Sequence, residues 1–156
     1  MQELREPGDL IRRWVQASDM RSMAEWRKFV REAGLSMPQL SLLMRLYHGG
    51  GCGVHDLGRG LGVSSAAASQ MVDRLVQAEL VARAESPEDR RVRRVELSAR
   101  GRHLIDRGIR RRYRWVDELV GGLGADTKAS VRKTLPALIE AERRLPGAIP
   151  ARGERR

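Results

Sequence analysis

Residues 54–101, VHDLGRGLGVSSAAASQMVDRLVQAELVARAESPEDRRVRRVELSARG, decide the fold. Leu57 and Leu61 give a first short helix its apolar face, and Gly62-Val63 makes a tight turn. Met71, Val72, Leu75 and Val76 then return at helical spacing behind Ser64-Ser65. The order is that of a helix-turn-helix, whose second helix enters a DNA groove. Two short runs follow, Leu80 to Ala84 and Val92 to Leu97. They are joined by Ser86-Pro87-Glu88-Asp89-Arg90-Arg91, whose Pro and Asp suit a turn, so the spacing predicts a hairpin wing with an Arg-rich tip.

Working outward on the N-terminal side, Leu10, Ile11, Trp14, Val15, Met20, Met23, Trp26 and Val30 keep to helical spacing and predict one long helix ending near Gly34. Ser36 caps a second helix. Pro38 stands in its first turn, where a missing N–H costs nothing, and Leu40, Leu43, Met44 and Tyr47 form its buried stripe until Gly49-Gly50-Gly51 stops it. On the C-terminal side Ser98 is the expected N-cap of a helix carrying Leu104, Ile105, Ile109, Val116, Leu119, Val120 and Leu123. Gly121-Gly122-Leu123-Gly124 breaks it. Asp126 or Thr127 restarts a last helix with Val131, Leu135, Leu138 and Leu145 on one stripe, kinked at Pro136. The tail, residues 146–156, is Pro, Gly and Arg with little to bury and is expected to be disordered.

A chain of 156 residues at 41% apolar can bury one core without disulfide or metal staples. A single cysteine, Cys52, excludes an internal disulfide. No apolar stretch approaches the roughly 20 residues that span a bilayer. The N-terminus, with Glu3, Arg5, Glu6 and Asp9, is not a signal peptide, so a cytoplasmic protein without a membrane partner is expected. The net charge of +10 comes almost wholly from arginine, whose planar fork suits phosphate. An even spread over solvated faces is the plain alternative, but Arg90, Arg91, Arg93 and Arg94 fall together at the wing, which points to double-stranded DNA. Apolar stripes at both ends of the chain are expected to pack together and against a second copy, giving a homodimer.

The whole order is mainly α with a small β-hairpin wing: two helices, a single strand position, the helix-turn-helix, the hairpin, two helices. With Gly34-Leu35-Ser36-Met37-Pro38-Gln39, Leu61-Gly62-Val63-Ser64-Ser65, Val72-Asp73-Arg74-Leu75, Glu88-Asp89-Arg90-Arg91 and Val95-Glu96-Leu97-Ser98, it resembles the MarR family of bacterial winged helix-turn-helix transcriptional regulators. The resemblance covers nearly the whole chain, 1–156. It implies a winged helix-turn-helix region at 36–97 and a helical dimerisation region made of 1–35 and 98–145. It also implies a dimeric repressor or activator that binds a pseudo-palindrome and is often released by a small aromatic or phenolic effector. One departure stands out. The family usually has Gly where this chain has Glu79, and a non-Gly residue in a left-handed cap costs about 1 to 2 kcal/mol, which predicts a differently built helix exit.

Small side chains at the front of the second helix, Ser64, Ser65, Ala66, Ala67, Ala68 and Ser69, let its backbone approach a major-groove floor, and the hydroxyls can hold phosphates. Gln70 offers the amide fork for adenine, worth about 1 to 3 kcal/mol of discrimination. Arg74 reaches guanine or phosphate, with Asp73 as its alternative surface partner. By resemblance Asp89 and Arg91 match the family's wing pair, with Arg91 entering a narrow minor groove. Arg90, Arg93 and Arg94 are expected on phosphates.

Met20, Met23, Met44, Tyr47 and Tyr113 could line an effector cavity or simply fill the core. His48, Cys52 and His55 carry ligand-type side chains, but their glycine-rich loop serves loop packing as well as metal, and the reading assigns no metal and no cofactor. A metal- or redox-responsive variant of the same regulator stays open on those three residues. So does a sequence-independent architectural winged helix. An enzyme is disfavoured because no Gly-rich phosphate loop, nucleophile elbow or metal-hydrolase helix occurs in the sequence.

Overall fold

The structure is a computed structural model describing residues 6–85 and 93–146. The wing tip, residues 86–92, and residues 147–156 lie outside that range, the latter being all but the first residue of the tail expected to be disordered. The chain divides into two compact units, residues 1–113 and 114–156.

In the first unit, α1 (Pro7–Glu32) begins on Pro at its first turn and buries only its C-terminal half, through Ser22, Trp26, Phe29 and Val30. It ends as the spacing predicts, on Gly34 at φ +66°, where the Leu35 N–H returns to the Val30 carbonyl at 3.0 Å. Helix α2 (Met37–Gly49) starts in a capping box. Gln39 N–H donates to Ser36 Oγ at 3.3 Å, and Ser36 N–H donates to Gln39 Oε1 at 2.8 Å. Its burial goes beyond the expected stripe. Leu42 and Leu46 are as buried as Leu43, so α2 is the central rod of the unit rather than a one-sided surface helix.

Helices α3 (Val54–Leu61) and α4 (Ser65–Gln77) form the helix-turn-helix, hinged on Gly62 at φ +68°. A Cβ on Gly58 would stand 3.1 Å from the Val63 carbonyl and 3.4 Å from Ala68 Cβ, so the two helices close on small residues. Strands β1 (Val81–Glu85) and β2 (Arg93–Leu97) pair antiparallel, with Val81 opposite Leu97 and Arg83 opposite Val95. The strand position expected between α2 and α3 is a single bridge: Cys52 and Val95 exchange backbone hydrogen bonds of 3.1 and 2.9 Å.

Helix α5 (Ala99–Gly122) is capped by Ser98, whose hydroxyl oxygen accepts the Gly101 N–H at 2.9 Å. A Cβ on Gly101 would lie 1.9 Å from the Leu80 carbonyl oxygen, and one on Gly108 2.6 Å from the Phe29 and Trp26 rings. Two glycines therefore let α5 seat against the wing root and α1. The fully buried Leu42, Leu43, Leu46, Leu57, Val72, Leu75, Val95 and Ile105 fill the centre of this unit. In the second unit, α6 (Ala125–Arg143) takes Gly124 as its N-cap, with Asp126 already inside the first turn instead of starting the helix. Pro136 lies within α6, which continues to Arg143, and no residue of α6 is buried.

Candidate nucleic-acid interface

The second helix of the motif is built to present its N-terminal face. Ser64 Oγ accepts the Ala67 N–H at 3.2 Å, satisfying one of the unpaired donors at the helix start. Ser65 is held from the neighbouring helix, its Oγ 3.1 Å from His55 Nδ1. Ser65, Ala66 and Gln70 are exposed and Ser69 is half-buried, which places them on the outward face together with Arg74. Ala68 is not part of that face. It is fully buried, because it is the contact that seats α4 on α3 at Gly58. Val76, expected in the buried stripe, is exposed at the far end of the helix. Asp73 pairs with Arg83 of β1, so the alternative pairing of Asp73 with Arg74 is not formed.

The helix exit keeps the left-handed geometry despite Glu79. Its φ is +58°, correcting the expectation of a different exit. Ser98 Oγ donates to the Glu79 carbonyl at 2.6 Å, Arg100 Nη1 donates to Glu79 Oε2 at 2.8 Å, and the Ser98 N–H reaches the Leu80 carbonyl at 3.1 Å. Those contacts tie the end of α4 to the root of the hairpin and to the start of α5.

Asp89, Arg90 and Arg91 lie outside the described residues, and Arg93 is placed only by its backbone pairing with Glu85. Arg94 departs from the sequence reading. Its guanidinium turns inward and donates to the Gly51 carbonyl, holding the loop after α2 against β2 instead of facing phosphates. The bridge explains this: Cys52 pairs with Val95, which brings the neighbouring Gly51 carbonyl within reach of Arg94.

Of the five proposed effector residues, Tyr47, Met23 and Met44 belong to or pack against the core cluster, and Met20 and Tyr113 are exposed, at 75% and 48%. Tyr47 is buried, its hydroxyl donating to Asp106 on α5, with the Arg102 guanidinium 5.9 Å from its ring centre. None of the five lines the cavity of about 690 Å³ in the same unit. His48, Cys52 and His55 are likewise spent separately. His48 stands edge-on to Tyr47, Cys52 is in the bridge to Val95, and His55 contacts Ser65. Among the described residues no three potential metal ligands come together. Burial pushes the Cys52 thiol up, with Arg45 acting in the opposite sense.

The acidic residues of α1 serve a different purpose. Arg111 on α5 donates to Glu25 at 3.2 Å and to both oxygens of Glu32, and the hydrogen bond from Arg111 lowers the Glu32 carboxyl below its ordinary range. Among the described residues no helix is long and apolar enough to cross a membrane.

Comparison with known proteins places this geometry. The sequence model of the MarR family matches residues 35–92, the second helix through the wing. The HTH-type transcriptional regulator YdgJ of Bacillus subtilis is 30% identical over 101 residues, 65% of this chain and 62% of its own length. The transcriptional regulator Tm0710 of Thermotoga maritima superposes with a TM-score of 0.77 at 24% identity, covering 87% of this chain and 96% of its own. A single-substitution mutant of MepR from S. aureus, solved bound to an oligodeoxyribonucleotide, superposes with a TM-score of 0.62 at 16% identity, covering 87% of this chain and 97% of its own.

Proposed function

We propose that this chain, whose residues 35–92 match the sequence model of the MarR family, is a homodimeric transcriptional regulator of that family. In this reading it binds a pseudo-palindromic operator in the cytoplasm, and as a repressor it is released by a small effector. The observation that carries the reading is the outward face of α4. Ser65, Ala66, Gln70 and Arg74 face outward on a helix whose start is capped and whose end is fastened to the wing. Such a face combines close backbone approach, one adenine-reading amide and one guanidinium, while Arg90, Arg91 and Arg93 follow at the wing. MepR, which shares this fold, was solved bound to an oligodeoxyribonucleotide, which supports DNA as the partner in this reading.

Two apolar faces support the homodimer. In the first unit Leu10, Ile11, Trp14 and Val15 of α1 are exposed. In the second, Leu135, Leu138 and Ile139 of α6 are exposed as well. Patches of this kind mark association sites. A dyad that presents two α4 helices to successive major grooves sets the half-sites roughly 34 to 36 Å apart.

Selection of bound DNA from a random pool, followed by salt-dependent binding to the winner with wild type and Arg91→Ala, tests the reading. A pseudo-palindrome whose affinity drops with the substitution is the expected result. Equal affinity for all sequences would replace it with the architectural alternative.

A further inference from the structure

We infer that His55 is a DNA-phosphate contact of the helix-turn-helix, aimed by Ser65, and that its imidazole takes up a proton when the phosphate arrives. The ring is exposed on the second residue of α3, and its Nδ1 lies 3.1 Å from the Oγ of Ser65, the first residue of α4. The first helix of such a motif crosses the DNA backbone while the second enters the groove. A side-chain bond between the starts of the two helices therefore stands where backbone contact and base reading meet.

The chemistry of the partner decides what the ring can do. A hydroxyl donates to a neutral imidazole and accepts from a charged one, so the bond to Ser65 survives either state. A neutral ring that accepts at Nδ1 carries its N–H on Nε2, and the charged ring keeps it there, so Nε2 is the donor offered to an incoming oxygen. A phosphate oxygen at that N–H stabilises the imidazolium, because the bond then joins opposite charges. The surrounding charges leave that role open. On α3 Asp56 is bonded to Arg59 at 2.8 Å. From α2 Arg45 lies over Gly60 and near Cys52, and His48 stands against the Tyr47 ring. From β2 Arg94 holds the Gly51 carbonyl and Glu96 lies beside Gly51. The first turn of α4 has no acid, and Asp73 further along is engaged by Arg83. Among the described residues the His55 ring bonds Ser65 and no carboxylate, so no internal anion holds the proton before DNA does.

The inference rests on the DNA-binding reading of α4. Its consequence is a pH dependence with a fixed sign. A group that gains a proton in the complex tightens binding as pH falls, and the gain is lost as pH rises through the range where the bound ring gives the proton up.

The test titrates the selected operator duplex, and a scrambled duplex of the same length, with the full chain at pH 6 and pH 8. Wild type is expected to bind about threefold or more tightly per protomer at pH 6, with a salt dependence steeper by about one phosphate contact per protomer. His55→Gln keeps a donor without a titrating charge and is expected to lose that gain, leaving only what His48 and His103 contribute. His55→Lys carries a fixed charge and is expected to bind at pH 8 about as tightly as wild type does at pH 6. Circular dichroism checks that both variants fold. Long-range nitrogen–proton NMR of the wild-type histidines gives a second readout: the His55 ring is expected in its Nε2–H form in the free chain at pH 8 and to protonate at higher pH in the complex. An equal pH gain in His55→Gln, or protonation at the same or lower pH in the complex, would overturn the inference and leave the regulator reading intact. Equal affinity for both duplexes with a pH gain that depends on His55 would sink the regulator reading and keep the contact, since phosphates carry no sequence information. No binding to either duplex would overturn both.

Discussion

Helices α2 and α6 both carry leucines at helical spacing and have opposite fates. The 13 residues of α2 bury five side chains, whereas the 19 residues of α6 bury none. The leucines are equally hydrophobic in both, so the difference lies in what surrounds them. Helix α2 is enclosed by α3, α4, β2 and α5 within the first unit, while Leu135, Leu138 and Ile139 of α6 stay in contact with water. One helix is stabilised by its own chain. The other leaves apolar area whose burial would contribute about 25 cal/mol per Å² once a partner surface covers it.

That contrast is broken most forcefully by charging α6. Leu135→Asp with Leu138→Asp is expected to convert a dimer to monomers while the first unit keeps its fold. Leu135 and Leu138 are already about half covered, so each is worth about 1 kcal/mol more in a dimer and the dyad counts each twice, and the dissociation constant should rise by about a thousandfold. Sedimentation equilibrium reads the association, and circular dichroism reads the fold. An unchanged monomer–dimer equilibrium would mean that α6 needs no partner copy.

The enclosed side is sharpened by Gly101→Ala. The new methyl would have to share space with the Leu80 carbonyl, a backbone atom that cannot swing aside, so α5 must lift from the wing root. Destabilisation of about 3 kcal/mol is expected in urea unfolding. Gly121→Ala, with nothing within 4 Å, is the control and should not destabilise. Similar losses at both glycines would mean that helix position, not enclosure, sets the cost.

Gln70→Ala probes the exposed face of an element whose other face is enclosed. Stability is expected to change by less than about 0.5 kcal/mol, because Gln70 is exposed on α4. Discrimination at one base pair of each half-site should fall by about 1 to 3 kcal/mol, measured by competition between the selected operator and its single-base variants. Uniform weakening across all variants would move Gln70 from base reading to backbone contact.

The same contrast explains what could be read from the sequence. The capping box at Ser36 and Gln39, the left-handed turn at Gly62 and the pairing of the hairpin are local devices, so residue type and spacing reveal them. Burial of Leu42 and Leu46 depends on four other elements converging on α2, which no helical period encodes. The inward turn of Arg94 and the contact from His55 to Ser65 depend on groups 43 and 10 residues apart meeting in space. An arginine run reads alike whether it faces phosphate or a carbonyl. The cavity was invisible for the same reason, since its lining comes from the α1–α2 turn, α4 and α5 and meets only in the fold.

Glu79 is where a local rule and its surroundings oppose each other most evenly, so its replacement should have the smallest effect. A left-handed glutamate costs about 1 to 2 kcal/mol against glycine, and Glu79→Gly removes that cost. Two terms oppose the gain. The exposed pair with Arg100 is worth at most about 1 kcal/mol. Glycine also adds freedom to the unfolded chain, worth about 0.4 to 1 kcal/mol. The Ser98 hydroxyl bonds the carbonyl of residue 79 and survives the change. A net shift within about 0.5 kcal/mol follows, readable only from paired denaturation curves. Arg100→Ala separates the terms: it should cost a few tenths of a kcal/mol beside Glu79 and nothing beside Gly at that position. Equal costs in both backgrounds would show that Arg100 does not stabilise the exit through Glu79, leaving Ser98 and the hairpin to hold the left-handed turn.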